Sequence, residues 1–336
     1  MRCGSAPRVA AWRGGALGDL VLTLPALDLL RRCHGGAALD LVASPAWAPL
    51  AAPDRAIDHG SPALAPLYLS DCPCLPEYAA PLRQAASVLV YAVDPEGVLG
   101  DNLRRLLPGR VRVHDPRPPD GFAGHITEHL IAPLELGTTA VPFPRIELTP
   151  AETAAAMEWR RRAGLTGPLA AVHGGSSTPA KNWPAAGYAA VGAQLARHGL
   201  TPVFVVGPVE RDQGWGAPWP GAASFPAATS RQLAALLAQA SLFVGNDSGP
   251  GHLAAAVGIP TLSLFGPTSA ARWRPRGPHA RTLEAPGGCW ENLGEAQVTE
   301  AALGLLQDAA DRQTQAGAPC PAGVSDSHRP DGTSPE

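Results

Sequence analysis

Lysine is almost absent from this chain. Lysine and arginine together number 26 in a sequence of 336 residues, and only one of them, Lys181, is a lysine. Arginine therefore supplies the positive charge wherever a generic cation is enough. A lysine in such a background is a candidate for a role that needs a compact, strongly hydrated ammonium group. The alternative is that this lysine is present by chance.

Long apolar runs and a strong net charge are also missing. No apolar stretch reaches the roughly 18 residues of a membrane-spanning helix. The first 13 residues lack the continuous apolar segment and the cleavage site of a secretory signal, so we expect a cytoplasmic protein. The net charge of −3 gives no electrostatic reason to expect nucleic acid as a partner.

The usual ligands of metal and cofactor sites are sparse. The six cysteines are scattered, and only Cys72 and Cys74 form a close pair, whereas a zinc site needs two such pairs or neighbouring histidines. No Asp-x-Asp pair occurs, so the common metal clamp of a nucleotide diphosphate is missing. The glycine-containing loop at residues 14–19 has neither Walker nor G-x-G-x-x-G spacing. We therefore expect no metal, no cofactor, and free thiols.

Strand patterns alternate with helical patterns along most of the chain. Predicted strands begin near Val9, Leu39, Ser87, Val111, Leu169, Pro202, Leu242 and Thr261. This alternation predicts an α/β fold with two Rossmann-like domains, whose parallel sheets face each other across a cleft at their carboxyl ends. Ligands bind at that edge in open α/β sheets.

Composition divides the chain into four segments. Residues 141–150 carry several prolines and little helical pattern, which predicts an interdomain linker. The linker separates an N-terminal Rossmann-like domain, 1–140, from a C-terminal one, 151–312. Residues 313–336 are rich in Pro, Gly, Ser and Asp and have little to bury, so we predict a disordered tail.

The segment from Leu242 to Thr268 is the most informative one. Its pattern is strand, glycine-rich turn, short alanine-rich helix and strand, with the helix predicted from His252 to Val257. A helix start after a glycine-rich turn offers free N–H groups and a positive dipole end to an anion. Asp247 does not suit an anion site and is better explained as an acceptor for sugar hydroxyl groups or as a helix cap. Ser248, Gly249 and His252 complete the candidate site.

A second loop, residues 173–184, follows the first strand of the C-terminal half. It carries glycines, the hydroxyl groups of Ser176 and Ser177, and Lys181, a composition suited to holding phosphate oxygens. Glu210 follows the next strand, where a carboxylate can accept hydrogen bonds from a ribose. An ordinary solvated loop is the alternative for both segments.

A third loop follows the first strand of the N-terminal half. It ends in Asp19, immediately before a helix predicted to run from Leu20 to about Cys33. A carboxylate at this edge of the sheet is a candidate general base. The equally good alternative is that Asp19 caps the following helix, which is a common position for aspartate.

Four motifs occur in order along the chain: Gly15-Ala-Leu-Gly-Asp19, Pro179-Ala-Lys-Asn-Trp-Pro184, the segment from Asp247 to Gly258, and Phe265-Gly-Pro-Thr268. Together they resemble glycosyltransferase family 9, the heptosyltransferases of lipopolysaccharide core assembly. The resemblance runs from about Arg8 to Asp311. It departs from the family at Gly251, where larger residues are frequent, and at Asn182, where arginine is common.

The resemblance implies a GT-B fold and a metal-independent, inverting transferase that uses an ADP-activated heptose. It also implies an acceptor-binding N-terminal domain, a nucleotide-sugar-binding C-terminal domain and a catalytic role for Asp19 as the base. Residues that match donor-binding groups of the family are Ser176, Ser177, Lys181, Glu210, Asp247, Ser248, Gly249 and His252, and Lys181 also assists the leaving group.

The same resemblance implies the partners. They are a nucleotide-diphosphate sugar donor, a glycan or glycolipid acceptor, and peripheral contact with the cytoplasmic face of the inner membrane; we expect a monomer. Two other functions fit the same scaffold. One is a nucleotide-sugar epimerase, and the other is a non-catalytic protein that binds nucleotide sugars.

Overall fold

The computed structural model describes residues 7–137, 140–207 and 223–316. These residues form two parallel β-sheets, one in each half of the chain. The N-terminal sheet has the order β3-β2-β1-β4-β5, and every neighbouring pair of strands is parallel. Its strands are β1 (Arg8–Arg13), β2 (Ala38–Ala43), β3 (Arg55–Asp58), β4 (Ser87–Tyr91) and β5 (Val111–His114).

The C-terminal sheet repeats this architecture with one more strand. Its order is β11-β10-β9-β6-β7-β8, again entirely parallel. The strands are β6 (Leu169–His173), β7 (Thr201–Val205), β8 (Ala223–Phe225), β9 (Leu242–Asn246), β10 (Thr261–Phe265) and β11 (Ala280–Glu284). Parallel strands require crossovers, so all strands of one sheet end at the same edge.

The α-helices cover both faces of each sheet. They are α1 (Leu17–Cys33), α2 (Val98–Leu106), α3 (Ile126–Ile131), α4 (Pro150–Arg162), α5 (Ala185–Arg197), α6 (Ser230–Leu237), α7 (Gly249–Ala256), α8 (Ala270–Trp273) and α9 (Glu295–Ala316). The 3₁₀ segments Pro62–Tyr68 and Glu77–Gln84 lie between β3 and β4. This arrangement confirms the predicted α/β fold with two Rossmann-like halves.

Three strands were absent from the sequence prediction: β3, β8 and β11. Each lies at an edge of its sheet. Strands β6, β9 and β10 are buried along their whole length, whereas β3 and β11 are largely half-exposed. A strand of the second kind lacks the continuous apolar run by which a central parallel strand is recognised.

A single apolar cluster continues from one half of the chain into the other. It contains Leu20 and Leu24 of α1 together with Phe243 of β9 and Leu253 of α7. The starts of α1 and α7 approach closely, because a Cβ added at Gly249 would lie 2.9 Å from Leu17 Cβ. The two helix starts that the sequence assigns to the site therefore meet at the junction between the halves.

The predicted linker is almost entirely irregular, and the last helix extends into the predicted tail. Residues 140–149 have neither helix nor strand, and α4 begins at Pro150 with Thr149 as its N-cap. Helix α9 continues to Ala316, so the first residues of the predicted tail are helical. The remaining tail, 317–336, lies outside the described residues.

Among the helices of the described ranges, none combines the length and the apolar character needed to traverse a lipid bilayer.

Candidate active site

Asp19 lies in the first turn of α1 and not in a loop before it. The helix begins at Leu17 rather than at Leu20, so the prediction that Asp19 is the N-cap residue is wrong in detail. Its Oδ2 nevertheless accepts the backbone N–H of Ala16 at 2.9 Å. This bond satisfies one of the free amide groups at the helix start. Asp19 is therefore a hydrogen-bond acceptor at the helix start as well as a partly exposed carboxylate, and its role as the general base stays a prediction.

A buried arginine holds the Asp19 carboxylate in place. Arg13 Nη2 donates to Asp19 Oδ1 at 2.9 Å, while Arg13 Nε donates to Thr23 Oγ1 at 3.0 Å. The Arg13 side chain is 7% exposed and that of Asp19 is 40% exposed. Burial lowers the pKa of Arg13, and the Asp19 carboxylate opposes that shift. An arginine remains charged even so, and Asp19 is a fixed anion that faces solvent.

Lys181 forms the corresponding ion pair in the C-terminal half. Its Nζ donates to Asp247 Oδ2 at 3.0 Å, and the Thr268 hydroxyl donates to the same oxygen at 3.0 Å. Lys181 keeps 29% of its side chain exposed, whereas Asp247 keeps 7%. The ammonium is thus available to a ligand, and the buried carboxylate fixes its position.

Asn246, the last residue of β9, organises the loop that carries Lys181. Its side-chain oxygen accepts the backbone N–H of Trp183 at 3.0 Å and the Tyr188 hydroxyl at 2.7 Å. Its amide donates to the carbonyl oxygen of Gly174 at 2.6 Å. Asn246 is fully buried, and the loop of residues 173–184 is tied to β9 through it. This network explains why Lys181 meets Asp247, which follows Asn246 directly.

Helix α7 begins at Gly249, three residues earlier than the sequence pattern indicated. Ser248 is its N-cap residue, and the Ser248 hydroxyl is hydrogen-bonded to His173 Nδ1 at 3.0 Å rather than to the helix. Its first-turn amide groups therefore have no side-chain cap from Ser248. Pro250 has no N–H, and the N–H groups of Gly251 and His252 donate to the Ser248 carbonyl at 3.1 and 3.4 Å. The helix start therefore offers an anion its positive dipole end and the amide of Gly249.

His252 lies at the contact between the two halves. A Cβ added at Gly18 would lie 3.2 Å from His252 Cδ2, so α1 and α7 touch here with little space between them. Burial lowers the pKa of His252, while the Asp247 and Asp19 carboxylates oppose the shift. The imidazole is consequently neutral near pH 7, and it contributes no positive charge to an anion site.

The remaining candidates have different environments. Ser176 is buried, and its hydroxyl donates to the Thr178 carbonyl at 2.8 Å, so it shapes the loop. Ser177 is exposed beside it. Glu210 falls within residues 208–222 and lies outside the described residues.

Several residues that support the site were not singled out from the sequence. Arg13, Thr268 and Asn246 each act by holding a candidate residue. Arg13 is the last residue of β1, Asn246 is the last residue of β9, and Thr268 closes the Gly-Pro-Thr turn after β10. A polar residue at the carboxyl end of an otherwise apolar parallel strand is the signal that identifies the first two.

The arrangement places opposite charges on the two sides of the junction. An exposed carboxylate on the N-terminal side is suited to accept a proton. A partly exposed ammonium beside the start of α7 on the C-terminal side is suited to stabilise a departing diphosphate. Within the described residues, no three His, Cys, Asp or Glu side chains are placed to hold a metal ion.

Comparison with known proteins identifies relatives of this chain. A model described as glycosyltransferase family 9 (heptosyltransferase) matches residues 129–302. Over 103 residues the chain is 40% identical to lipopolysaccharide heptosyltransferase 3 of Escherichia coli, which covers 28% of this chain and 30% of that protein. The similarity in sequence thus spans less than a third of this curated relative.

Solved structures resemble the chain over nearly its full length. A glycosyltransferase family 9 protein of Veillonella parvula superposes with a TM-score of 0.73 at 23% identity, covering 92% of this chain and 99% of that one. The E. coli ADP-heptose lipopolysaccharide heptosyltransferase II gives 0.68 at 18% identity, covering 90% and 99%. These similarities confirm the predicted GT-B type of fold.

Proposed function

Because this chain belongs to glycosyltransferase family 9, we propose that it transfers a sugar from a nucleotide-diphosphate donor to a glycan hydroxyl by direct, inverting displacement without a metal ion. The proposed donor is ADP-heptose, and the proposed acceptor is a lipopolysaccharide-core or related glycan. The E. coli relative of similar fold is described as an ADP-heptose enzyme, which supports the choice of donor.

The proposed mechanism divides the chemistry between the two halves. The Asp19 carboxylate takes the proton of the acceptor hydroxyl while that oxygen attacks the anomeric carbon of the donor sugar. The bond between the anomeric carbon and the diphosphate oxygen breaks, and the configuration inverts. Lys181 and the positive dipole end at the start of α7 stabilise the negative charge that develops on the diphosphate.

Other residues complete the proposed donor site. The hydroxyl group of Ser177 is exposed beside the Lys181 loop and is assigned to the diphosphate, with Ser176 shaping the loop. Asp247 and Glu210 are assigned to hydroxyl groups of the sugar and the ribose, respectively. Ser248, Gly249 and His252 form the helix start that receives the phosphate groups.

The observation that carries the proposal is the pair of exposed, opposite charges at the junction. Asp19 is held by a buried arginine and Lys181 by a buried aspartate, and the carboxylates of Asp19 and Asp247 both oppose the lowering of the pKa of His252 by burial. A nucleotide-sugar epimerase has no need of an acceptor, and a binding protein has no need of a base on the side opposite the phosphate site.

A donor panel tests the proposal directly. The purified protein is titrated with ADP-, UDP- and GDP-sugars, and the shift in melting temperature identifies the donor, because a ligand that binds only the folded state stabilises it. That donor is then incubated with core oligosaccharide acceptors, in EDTA, and the product is analysed by mass spectrometry and NMR.

We expect an ADP-sugar to give the largest shift and the product to carry the inverted linkage. A product that appears only after a divalent metal is added would contradict metal independence. A donor whose sugar is epimerised without any acceptor would instead establish the epimerase alternative. Membrane association and a monomeric state, which we also propose, are tested by vesicle flotation and by sedimentation.

A further inference from the structure

The loop that carries Lys181 is also held by the part of the chain that follows β11. Two short 3₁₀ turns meet here: Pro179–Lys181, which carries the cation, and Trp290–Asn292. The indole N–H of Trp290 donates to the carbonyl oxygen of Ala180, the residue before Lys181, at 3.0 Å. The two residues are 110 positions apart in the sequence. Trp290 therefore contacts the backbone from which the Lys181 side chain extends.

A second tryptophan makes the same connection in the reverse direction. The indole N–H of Trp183, two residues after Lys181, donates to the carbonyl oxygen of Leu293 at 3.1 Å. Trp183 and Leu293 are buried in one apolar cluster of the C-terminal half, whereas Trp290 is only partly buried against it. The buried bond joins the two segments, and the Trp290 bond acts on the peptide unit next to the cation.

The peptide unit between Ala180 and Lys181 is hydrogen-bonded at both ends. Its N–H donates to the Thr178 carbonyl at 2.9 Å, and its carbonyl oxygen accepts the Trp290 indole N–H. Because a peptide unit is planar, two bonds on opposite sides fix the orientation of its plane. They thereby fix the direction in which the Lys181 side chain leaves the backbone toward Asp247 Oδ2.

The Trp290 ring also lies against the turn that carries Thr268. A Cβ added at Gly266 would lie 2.5 Å from Trp290 Cε2, so the ring occupies the space that a side chain at that position would need. Thr268, two residues further on, donates to the same Asp247 oxygen that accepts Lys181. One indole group thus contacts both loops whose side chains meet on Asp247.

We propose that Trp290 is a positioning residue for the leaving-group site: it orients the peptide unit of Lys181 and thereby holds the ammonium where the diphosphate binds. This inference rests on the proposed function, because that function assigns Lys181 to the diphosphate. A lysine side chain is flexible, so a backbone fixed on both sides reduces the freedom that the ion pair alone would have to restrain. Trp290 acts through Lys181, and its contribution to diphosphate binding is absent when Lys181 is absent.

The single lysine of the chain makes this position directly observable. Protein with isotope only in lysine gives one backbone amide signal, whose order parameter reports picosecond-to-nanosecond motion. W290F keeps an aromatic ring and removes the N–H. We expect the order parameter to fall from about 0.85, the value of a rigid backbone, toward about 0.6. The measurement uses nucleotide-free protein, so it depends on neither binding nor turnover.

ADP affinity gives the second readout, by calorimetric titration of four proteins. W290F should bind ADP about 2- to 10-fold more weakly than the parent, the effect of one neutral hydrogen bond. In a K181A background the same substitution should leave ADP affinity unchanged, because the group that Trp290 positions is gone. A merely structural role would weaken binding equally in both backgrounds.

G266A tests the same contact while keeping both Trp290 and Lys181. Its Cβ must displace the indole ring, so we expect it to lower the Lys181 order parameter as W290F does. In W290A, where the ring is absent, adding G266A should cause no further loss. W159F is the matched control: Trp159 lies in α4 and packs edge-on against Phe225, and its loss should leave the Lys181 signal and ADP affinity unchanged.

Equal order parameters in W290F and the parent would overturn the positioning role, and so would an equal loss of ADP affinity with and without Lys181. If no sugar transfer is detected with any donor and acceptor while the coupling between Trp290 and Lys181 persists, the proposed function fails and the positioning role remains. If transfer occurs but the coupling is absent, the positioning role alone fails.

Discussion

The two halves of the molecule present ion pairs of opposite polarity at the same junction. In the N-terminal half the cation is buried and the anion is exposed, since Arg13 is 7% exposed and Asp19 is 40% exposed. In the C-terminal half the anion is buried and the cation is partly exposed, since Asp247 is 7% exposed and Lys181 is 29% exposed. The two pairs have nearly equal lengths, 2.9 and 3.0 Å.

The difference shows how one architecture serves two chemical roles. Each half is a parallel sheet whose central strand leads to a helix start, but the residue at the end of that strand differs. Burying one partner costs desolvation free energy, but it fixes the orientation of the more exposed partner, to which we assign the proton transfer or the stabilisation of the leaving group. The exposed group therefore decides whether the half accepts a proton or stabilises a leaving group.

Removing the exposed anion should have the largest effect. For Asp19→Asn we expect kcat to fall by about 10²- to 10⁴-fold, because a positioned general base contributes that much. The measurement is single-turnover transfer, together with ADP binding, which should be nearly unchanged. Asp28→Asn is the matched control, because Asp28 lies on the same helix in an exposed pair with Arg32. Unchanged turnover in Asp19→Asn would remove the proposed base.

Removing the exposed cation should have the next largest effect. For Lys181→Ala we expect ADP to bind about 10- to 100-fold more weakly, since a hydrogen bond to a charged group contributes about 1.5–3 kcal/mol. Calorimetric titration with ADP measures the change. Arg161→Ala, which removes an exposed cation from a surface pair with Glu158, is the control.

Loss of Lys181 also leaves a buried carboxylate without its cation. The double variant Lys181→Ala/Asp247→Asn separates the two effects, because it removes the repulsion between Asp247 and phosphate. We expect it to recover part of the ADP affinity that Lys181→Ala loses. Unchanged ADP affinity in Lys181→Ala would mean that the diphosphate binds elsewhere.

The contact between the halves is tested at Gly249. A Cβ there would lie 2.9 Å from Leu17 Cβ, so Gly249→Ala should lower the free energy of unfolding by about 1–3 kcal/mol, the usual result of overpacking. Gly304→Ala in α9 is the matched control, because nothing lies within 4 Å of a Cβ added at that position. The control should be stabilised by about 0.5–1 kcal/mol. Denaturant unfolding that ranks the two variants in the reverse order would contradict the close approach.

The smallest predicted effect is a pH dependence of the junction. His125 Nε2 is hydrogen-bonded to the Arg274 carbonyl at 2.8 Å, and Nδ1 accepts the Thr127 N–H at 3.2 Å. Burial lowers the pKa of His125 from 6.5 to about 4. The unfolded chain therefore binds this proton first, and the stability contributed by neutral His125 is present above pH 6.5 and is lost between pH 6.5 and 4.

For that loss we expect about 1–2 kcal/mol after solvent screening. Unfolding measured across this range should depend less on pH in His125→Asn, which keeps a helix cap without the titrating ring. The exposed His198, replaced by Asn, should leave the dependence unchanged. An equal pH dependence in His125→Asn and the parent would show that the protonation occurs elsewhere.

Most of the architecture was predictable because it follows from local patterns of apolar and polar residues. The central strands are continuous apolar runs, and the alternation of strands with helices allows only parallel sheets with crossovers. Asp19, Lys181 and the start of α7 were recognised as candidates because they lie in predicted loops with glycines or hydroxyl groups and because Lys181 is the single lysine of the sequence. Edge strands such as β3 and β11 were missed because most of their residues are exposed or only partly buried, so they lack a continuous apolar run.

Helix starts at the site were predicted too late for a related reason. Leu17 and Gly249 begin their helices three residues before the apolar periodicity does, because glycine and proline in the first turn resemble a loop in sequence. Glycine disfavours a helix by about 1 kcal/mol relative to alanine, and packing between α1 and α7 overrides that preference here.

The sequence by itself determined the two Rossmann-like halves, the candidate residues and the family resemblance, since these depend on residue order and spacing. The tertiary structure alone decided which partner each charge has, and therefore which group is exposed. Arg13 and Asp19 are six residues apart, but Lys181 and Asp247 are separated by 66 and meet only because β6 pairs with β9. Burial is a property of the packed chain, and burial assigned the exposed carboxylate to one half and the exposed ammonium to the other.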